Sequence, residues 1–434
     1  MTLAATPQTA SLSPILKQAT PVVVDHALGS WIHGTDGNSY LDFTTGIGVT
    51  STGHCHPRVV AAAQEQCTKI IHAQYTTVMH QPLLELTEKL GSVLPLGLDS
   101  VFYANSGSEA VEAAVRLARM ATAKPNIIVF QGGFHGRTVA AASLTTAGTR
   151  FSAGFSPLMG GVHMAPFPYA YRYGWDDDTA IDFALKELDY LLASRVAPND
   201  TAAFLIEPVL GDGGYLPTPP RFLAGLRERA HRHGILLVID EVQAGFGRTG
   251  KFWGHQHADD LTPDILVTAK GLASGFPISA IAASTELMSK AWPGSQGGTY
   301  GGNAVAAAAA IATLDVVDDE NLVENARVRG EQLLSGIRSV TDSYDAVGDV
   351  RGLGLMVGIE FVSRDGDVAV PDAATALAVQ QATTRHGLLT LTCGPEANVV
   401  RLIPALVVSE HEIATGVERL SAALSDVAAR NDGP

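Results

Sequence analysis

A chain of 434 residues with 46% apolar and 17% charged residues has the composition of a globular protein, which excludes collagen-like, mucin-like and low-complexity classes. Its 29 basic against 44 acidic side chains leave a net charge of −15, a surface that repels nucleic-acid phosphates and anionic membranes. Cys55, Cys67 and Cys393 are odd in number and widely spaced, which argues against a disulfide framework and for a reducing, cytoplasmic setting. The opening residues lack the basic start and apolar core of an export signal, and the most apolar run, 304–314, is too short to span a bilayer.

In chain order, the first expected element is a hairpin within residues 30–43, turning at Asp36 and Gly37. Short apolar runs follow at 101–104, 127–130, 203–206, 235–239 and 265–269, each ending in polar or ionisable residues. Such near-continuous runs mark strands of a parallel sheet covered by helices on both faces. Ligands of these sheets bind beyond the carboxyl ends of the strands, so the groups that follow the runs converge on one crevice. From about residue 320 the pattern changes to helices at 322–340 and 373–386, a Gly-rich strand-like segment at 350–361, and strands near 388–391 and 399–402. The expected fold is α/β: a large domain at 58–318 with a mostly parallel sheet flanked by helices, and a smaller α+β domain built from both termini, 1–57 and 319–434.

After the first run, Ser106-Gly107-Ser108-Glu109 opens a helix whose apolar face is Ala110, Val111, Ala114, Val115, Leu117 and Ala118. Taken alone it is a capped helix start as readily as a phosphate site, since free amides and small residues suit both. Glu109, Glu112 and Arg116 read as a solvated face with i,i+4 pairing. His54-Cys55-His56 has metal-ligand spacing but no second paired element, so surface or structural histidines are the expectation. Gly245 to Gly250 matches GxGxxG, yet Lys251-Phe252-Trp253-Gly254 follows where a dinucleotide loop opens into a helix.

Lys270 follows the run at 265–269 and precedes a small-residue loop, with Ala269 and Gly271 leaving room beside its amine. Desolvated lysines form Schiff bases with carbonyl compounds. Asp240 ends the run at 235–239, where an aspartate needs a cationic partner if buried. A protonated pyridine nitrogen is such a partner, and an amine, an acid and a phosphate-binding helix start on separate strands are what pyridoxal phosphate requires.

The same residues carry a resemblance. Leu41-Asp42-Phe43, Gly53-His54-Cys55-His56-Pro57, Asn105 through Ala110, Phe134-His135-Gly136-Arg137-Thr138, Ile206-Glu207-Pro208-Val209, Asp240-Glu241-Val242-Gln243, Lys270-Gly271, Gly298 through Asn303 and Val350 through Leu355 together resemble the class III, fold-type I pyridoxal-phosphate aminotransferases over nearly the whole chain. The 4-aminobutyrate, ornithine and acetylornithine group is the most similar. The GxGxxG match is thereby part of the family's loop after its cofactor aspartate.

The resemblance implies roles residue by residue. Lys270 would carry the cofactor as a Schiff base, Asp240 would pair with the ring nitrogen, Phe134 would stack on the ring and Gln243 would contact its hydroxyl. Gly107 and Ser108 would hold the phosphate, His135 and Val242 would complete the pocket, and Thr299 would reach the phosphate of a neighbouring subunit, implying a homodimer or dimer of dimers. Ile47 and Arg137 would contact substrate, and Arg401 would bind an α-carboxylate after release by Glu207, which masks it otherwise. The small-molecule partners would be amino and keto acids, with 4-aminobutyrate and 2-oxoglutarate exchanged by a ping-pong route in which the displaced Lys270 serves as base. At Asp212 the family usually carries glutamate, which leaves ornithine, acetylornithine and other ω-amino acids open as donors. From other classes, a nicotinamide-dependent dehydrogenase and a non-catalytic pyridoxal-binding regulator are the rivals.

Overall fold

A computed structural model of the chain describes residues 12–431 apart from residue 367. The stretch at 1–11, part of the region where no export signal is expected, lies outside the described residues. At the centre is a seven-stranded sheet in the order Ser100–Ala104, Ser279–Ala283, Ile265–Thr268, Leu236–Asp240, Thr201–Ile206, Asn126–Phe130 and Val162–Ala165. All five apolar runs lie in it, and only Ser279–Ala283 runs against the others. Strand parity explains why the runs lack alternation. Ile128, Phe130, Phe204, Ile206, Leu237 and Ile239 pack on one face against the helices Asp177–Ser194 and Pro220–His233. Ile127, Val129, Ala203, Leu205, Val238 and Val267 pack on the other face against the helix Gly107–Thr122. Fully burying a Val, Leu, Ile or Phe side chain contributes about 1.5–3 kcal/mol, so this two-faced burial is what fixes the strand ends in space.

The termini meet. Trp31–Gly34 and Ser39–Asp42 form the expected hairpin, with Gly37 at φ +81° in its turn. Ser39–Asp42 then pairs in parallel with Leu388–Leu389 from the far end of the chain. A second sheet is built from Val347–Leu353, Met356–Asp365, Val399–Leu402 and Leu391–Cys393 in that order, with Val368–Pro371 added to Met356–Asp365. Helices Leu322–Thr341, Ala373–Arg385 and Glu410–Asn431 accompany these sheets, and Leu41, Phe43, Leu333, Ile359, Val379 and Leu420 share one core. The fold is therefore the mixed α/β architecture expected, with the smaller α+β part drawn from both ends.

The structure refines three readings. Residues 350–361 hold parts of two antiparallel strands, turning at Gly354 with φ +53°, where a Cβ would lie 2.4 Å from the Thr249 backbone carbon. The strand near 388–391 divides between two sheets. Ser279–Ala283 and Val162–Ala165 complete the large sheet without a clear sequence signal, the first because alanine and serine have little β preference. Among the described residues no helix is long and apolar enough to cross a membrane; residues 304–314 belong to the largely buried helix Ala304–Asp319.

Candidate active site

The strand Ile265–Thr268 ends two residues before Lys270, which opens a short turn, Lys270–Leu272, at φ +39°. A side chain held in that region costs on the order of 1–3 kcal/mol, so the surroundings must enforce it. Gly271 allows them to: a Cβ there would lie 2.8 Å from Ser51 Oγ and 3.2 Å from Phe246 Cβ. The lysine thus lines a cavity of about 370 Å³ at the carboxyl ends of the strands. Burial pushes its pKa down; Asp212, Glu207 and Asp240 oppose the shift, while Arg401 adds to it. More of the free amine is then present near neutral pH, as a nucleophile or base requires.

Asp240 ends the adjacent strand in register with Val267 and is 3% exposed. Its Oδ2 lies 2.8 Å from His135 Nδ1, and its Oδ1 accepts the Val242 N–H at 3.1 Å. The imidazole therefore fixes the carboxylate, and both groups stand on the cavity wall. On another wall the helix Gly107–Thr122 begins under a reciprocal cap: Ser106 Oγ accepts the Glu109 N–H at 3.3 Å, and Glu109 Oε2 accepts the Ser106 N–H at 2.8 Å. Gly107 and Ser108, at the head of that helix, carry amides with no intrahelical acceptor and face the cavity. A Cβ on Gly107 would lie 3.0 Å from Val242 Cγ1, so glycine lets the helix head close onto the wall.

These groups fit pyridoxal phosphate. A buried amine, a buried acid, an aromatic face from Phe134 and a helix start suited to an anion all border one cavity, and Gln243 Oε1 is buried there with no hydrogen-bond partner. His135 serves this arrangement through Asp240, and Val242 through its backbone and its contact with the helix head.

The carboxylate end of the cavity differs from the expectation. Glu207 follows the strand Thr201–Ile206 and turns both oxygens to backbone, Oε1 to the Phe134 N–H at 2.8 Å and Oε2 to the Gly211 N–H at 3.0 Å. Burial, against the pull of His135, raises its pKa to about 7. Arg401 is 5% exposed and faces Asp212, with Nη1 3.4 Å from Oδ1. Burial disfavours its charge, but Asp212 and Tyr215 hold its pKa above the usual value. In the structure the acidic neighbour of Arg401 is therefore Asp212, while Glu207 accepts from the two backbone amides. The GDGG segment was legible only as a departure from the family's glutamate; nothing in the sequence tied it to position 401.

Arg137 stands exposed at the mouth, its guanidinium 4.7 Å from the Phe151 ring centroid and 5.9 Å from that of Phe134. Three expected residues do not line the cavity, one of them Arg401, which borders it only through Asp212. Ile47 sits in the turn Thr45–Gly48, where four successive residues have positive φ; the turn leaves it 45% exposed, and Val49 forms the wall instead. Thr299 is exposed on a loop and forms no part of the cavity wall. Elsewhere, Gly245 to Gly250 forms turns that open no helix, which removes the support for a dinucleotide loop. His54 turns to Asp42 and His56 to Glu320, at 2.8 and 3.0 Å. Arg116 reaches the Ser295 carbonyl at 2.9 Å, and Glu109 closes the helix cap, so the expected i,i+4 pairing on that face is replaced by loop contacts.

Comparison with known proteins agrees with this chemistry. The family described as aminotransferase class-III matches residues 14–424. The 5-aminovalerate aminotransferase of Pseudomonas putida is 37% identical over 412 residues, 95% of each chain. The 4-aminobutyrate aminotransferase of Escherichia coli is 37% identical over 405 residues, 93% of each. Among solved structures, an amine transaminase from an uncultivated Pseudomonas species, in its PLP-bound form, superposes with a TM-score of 0.89 at 28% identity, covering 97% of this chain and 99% of the other.

Proposed function

Because the chain belongs to the class-III aminotransferases, enzymes that use pyridoxal 5'-phosphate, we propose that it moves the amino group of an ω-amino acid, 4-aminobutyrate first, to 2-oxoglutarate. When bound, the cofactor supplies an aldehyde to condense with an amine and a ring that accepts the electron pair left at the carbon beside the nitrogen. The chain's own residues do the rest. Lys270 moves the proton at that carbon, helped by its depressed basicity. Asp240, held by His135, keeps a cationic ring nitrogen paired. Phe134 covers the ring, Gln243 meets its hydroxyl, and Gly107 with Ser108 receives the phosphate.

The observation that carries the substrate reading is the buried Arg401 whose partner, Asp212, lines the same cavity as Lys270. Arg137 holds the distal carboxylate that 4-aminobutyrate and glutamate share. 4-Aminobutyrate has no second carboxylate, so Asp212 neutralises Arg401 while it reacts. Glutamate and 2-oxoglutarate bring an α-carboxylate, which replaces Asp212 as the partner of the arginine. One pocket then serves both halves of a ping-pong exchange.

The second subunit enters through Thr299. The segment around Ile70, Ile71, Val78 and Met79 is exposed and apolar beside the Thr299 loop, with His72 5.3 Å from the Tyr300 ring and Asn303 Nδ2 bonded to the Ile71 carbonyl at 3.0 Å. That patch suits a homodimer in which Thr299 completes the neighbouring site. Three unpaired cysteines and an acidic surface accord with a cytoplasmic enzyme acting on small amino and keto acids. The test is a donor panel with 2-oxoglutarate. Equimolar succinate semialdehyde and glutamate, with parallel double-reciprocal lines, are expected from 4-aminobutyrate; a higher kcat/KM for ornithine or acetylornithine would assign the donor elsewhere. Because the P. putida relative acts on 5-aminovalerate, that homologue, one methylene longer, belongs in the panel.

A further inference from the structure

A cavity of about 840 Å³ lies beside the GDGG loop, between Tyr169, Trp175, Arg351 and Glu360. The buried polar groups of Arg351, Glu360 and Asn398 find partners within the protein, so the cavity's back wall works as a clamp. Arg351 directs two donors at one acceptor: Nε and Nη2 reach the Gly214 carbonyl at 3.0 and 2.8 Å. A Cβ on Gly214, which has φ +118°, would lie 3.0 Å from Nη2, so glycine is what allows the approach. The remaining nitrogen, Nη1, donates to Glu360 and, at 2.9 Å, to Asp349. Glu360 also accepts from the Tyr169 hydroxyl and from Asn398 Nδ2 at 3.3 Å. Arg351 and Glu360 are 9% and 7% exposed.

The strands give this cluster its meaning. Arg351 lies on Val347–Leu353 and Glu360 on Met356–Asp365, which pair antiparallel. Met356–Asp365 also pairs with Val399–Leu402, placing Gly358 opposite Arg401. One sheet therefore sets Arg401 directly and, through the fork on Gly214, sets the loop that carries Asp212. We propose that Arg351 is a positioning residue for substrate alternation, holding the Gly211–Gly214 loop so that Asp212 meets Arg401 when no α-carboxylate is present. This rests on the masking role given to Asp212 above.

The holoenzyme carrying Arg351→Lys tests it, because lysine keeps a charge for Glu360 and Asp349 but loses the fork. With the loop loosened, kcat/KM for 4-aminobutyrate should fall about tenfold, while that for glutamate, which supplies its own carboxylate, should change by less than about twofold. In an Asp212→Asn background the same substitution should leave the ratio of the two constants where Asp212→Asn alone puts it. Equal loss for both substrates would reduce Arg351 to a structural staple and overturn the proposal. Should Asp212→Asn alone leave the ratio unchanged, the masking role fails, and the clamp loses its object with it. Should Asp212→Asn move the ratio and Arg351→Lys not, the clamp alone is wrong. If Arg351→Lys does not fold, Tyr169→Phe, which removes one donor to Glu360, decides: a shift of the ratio by about two- to threefold in the same direction supports the proposal, and an unmoved ratio overturns it.

Discussion

The two ends of the active-site cavity are built from different material. At the cofactor end, Asp240 is the last residue of a central strand, Lys270 stands two residues beyond the next one, and His135 holds the aspartate. At the carboxylate end, Asp212 sits on a four-residue loop of glycines and aspartate, and Arg401 comes from the smaller sheet. Chemistry that is the same for every substrate rests on strands buried on both faces. The recognition proposed to change between half-reactions rests on a loop braced by side chains.

Substitutions should separate the two ends. Lys270→Ala removes the proposed proton carrier and should lower kcat by about 10³-fold or more for every donor in steady-state assays. Asp240→Asn preserves shape and removes charge; a loss of about 10²-fold in kcat, equal for 4-aminobutyrate and glutamate, is expected. Unequal loss would mean that the cofactor end also reads substrate. Asp212→Asn should act the other way, lowering kcat/KM for 4-aminobutyrate about tenfold relative to glutamate in single-turnover measurements, since it leaves Arg401 buried without an opposite charge. Equal effects there would erase the contrast.

The smallest effect concerns pH. Burial holds the Glu207 carboxyl at about 7 in the folded protein against an ordinary 4.5, so the folded state keeps a proton that the unfolded chain releases. Stability from this group is fully present below about 4.5 and is lost as pH rises through about 7. Glu207→Gln should therefore flatten the pH dependence of unfolding across that window, by on the order of 3 kcal/mol in urea titrations. Parallel curves for the two proteins would place the titration elsewhere.

The cofactor end was legible in the sequence because a two-faced buried strand leaves a distinct signature, an apolar run that stops at an ionisable residue. Lys270, Asp240 and Glu207 each stand where such a run stops. The carboxylate end was not, since the pairing of Asp212 with Arg401 is made by a strand that enters from the second sheet, and no local pattern announces which acid it will meet. Ile47 shows the same limit at short range. Thr45 and Ile47 are β-branched residues at positive φ, held by Asp42 Oδ1 accepting the Thr44 and Thr45 N–H groups at 2.8 and 3.1 Å, and sequence preference points away from that turn. Ser279–Ala283 was hidden for a plainer reason, its small side chains being equally at home in a helix.

The parallel pairing of Ser39–Asp42 with Leu388–Leu389 also governs how the molecule is made on the ribosome. Leu41 leaves the exit tunnel long before the strand that shelters it. Until that late segment is made, the expectation is an apolar edge without its partner while the central sheet condenses. Polypeptides arrested before Leu388 should therefore engage holdase chaperones through their first fifty residues and let go once that late segment arrives.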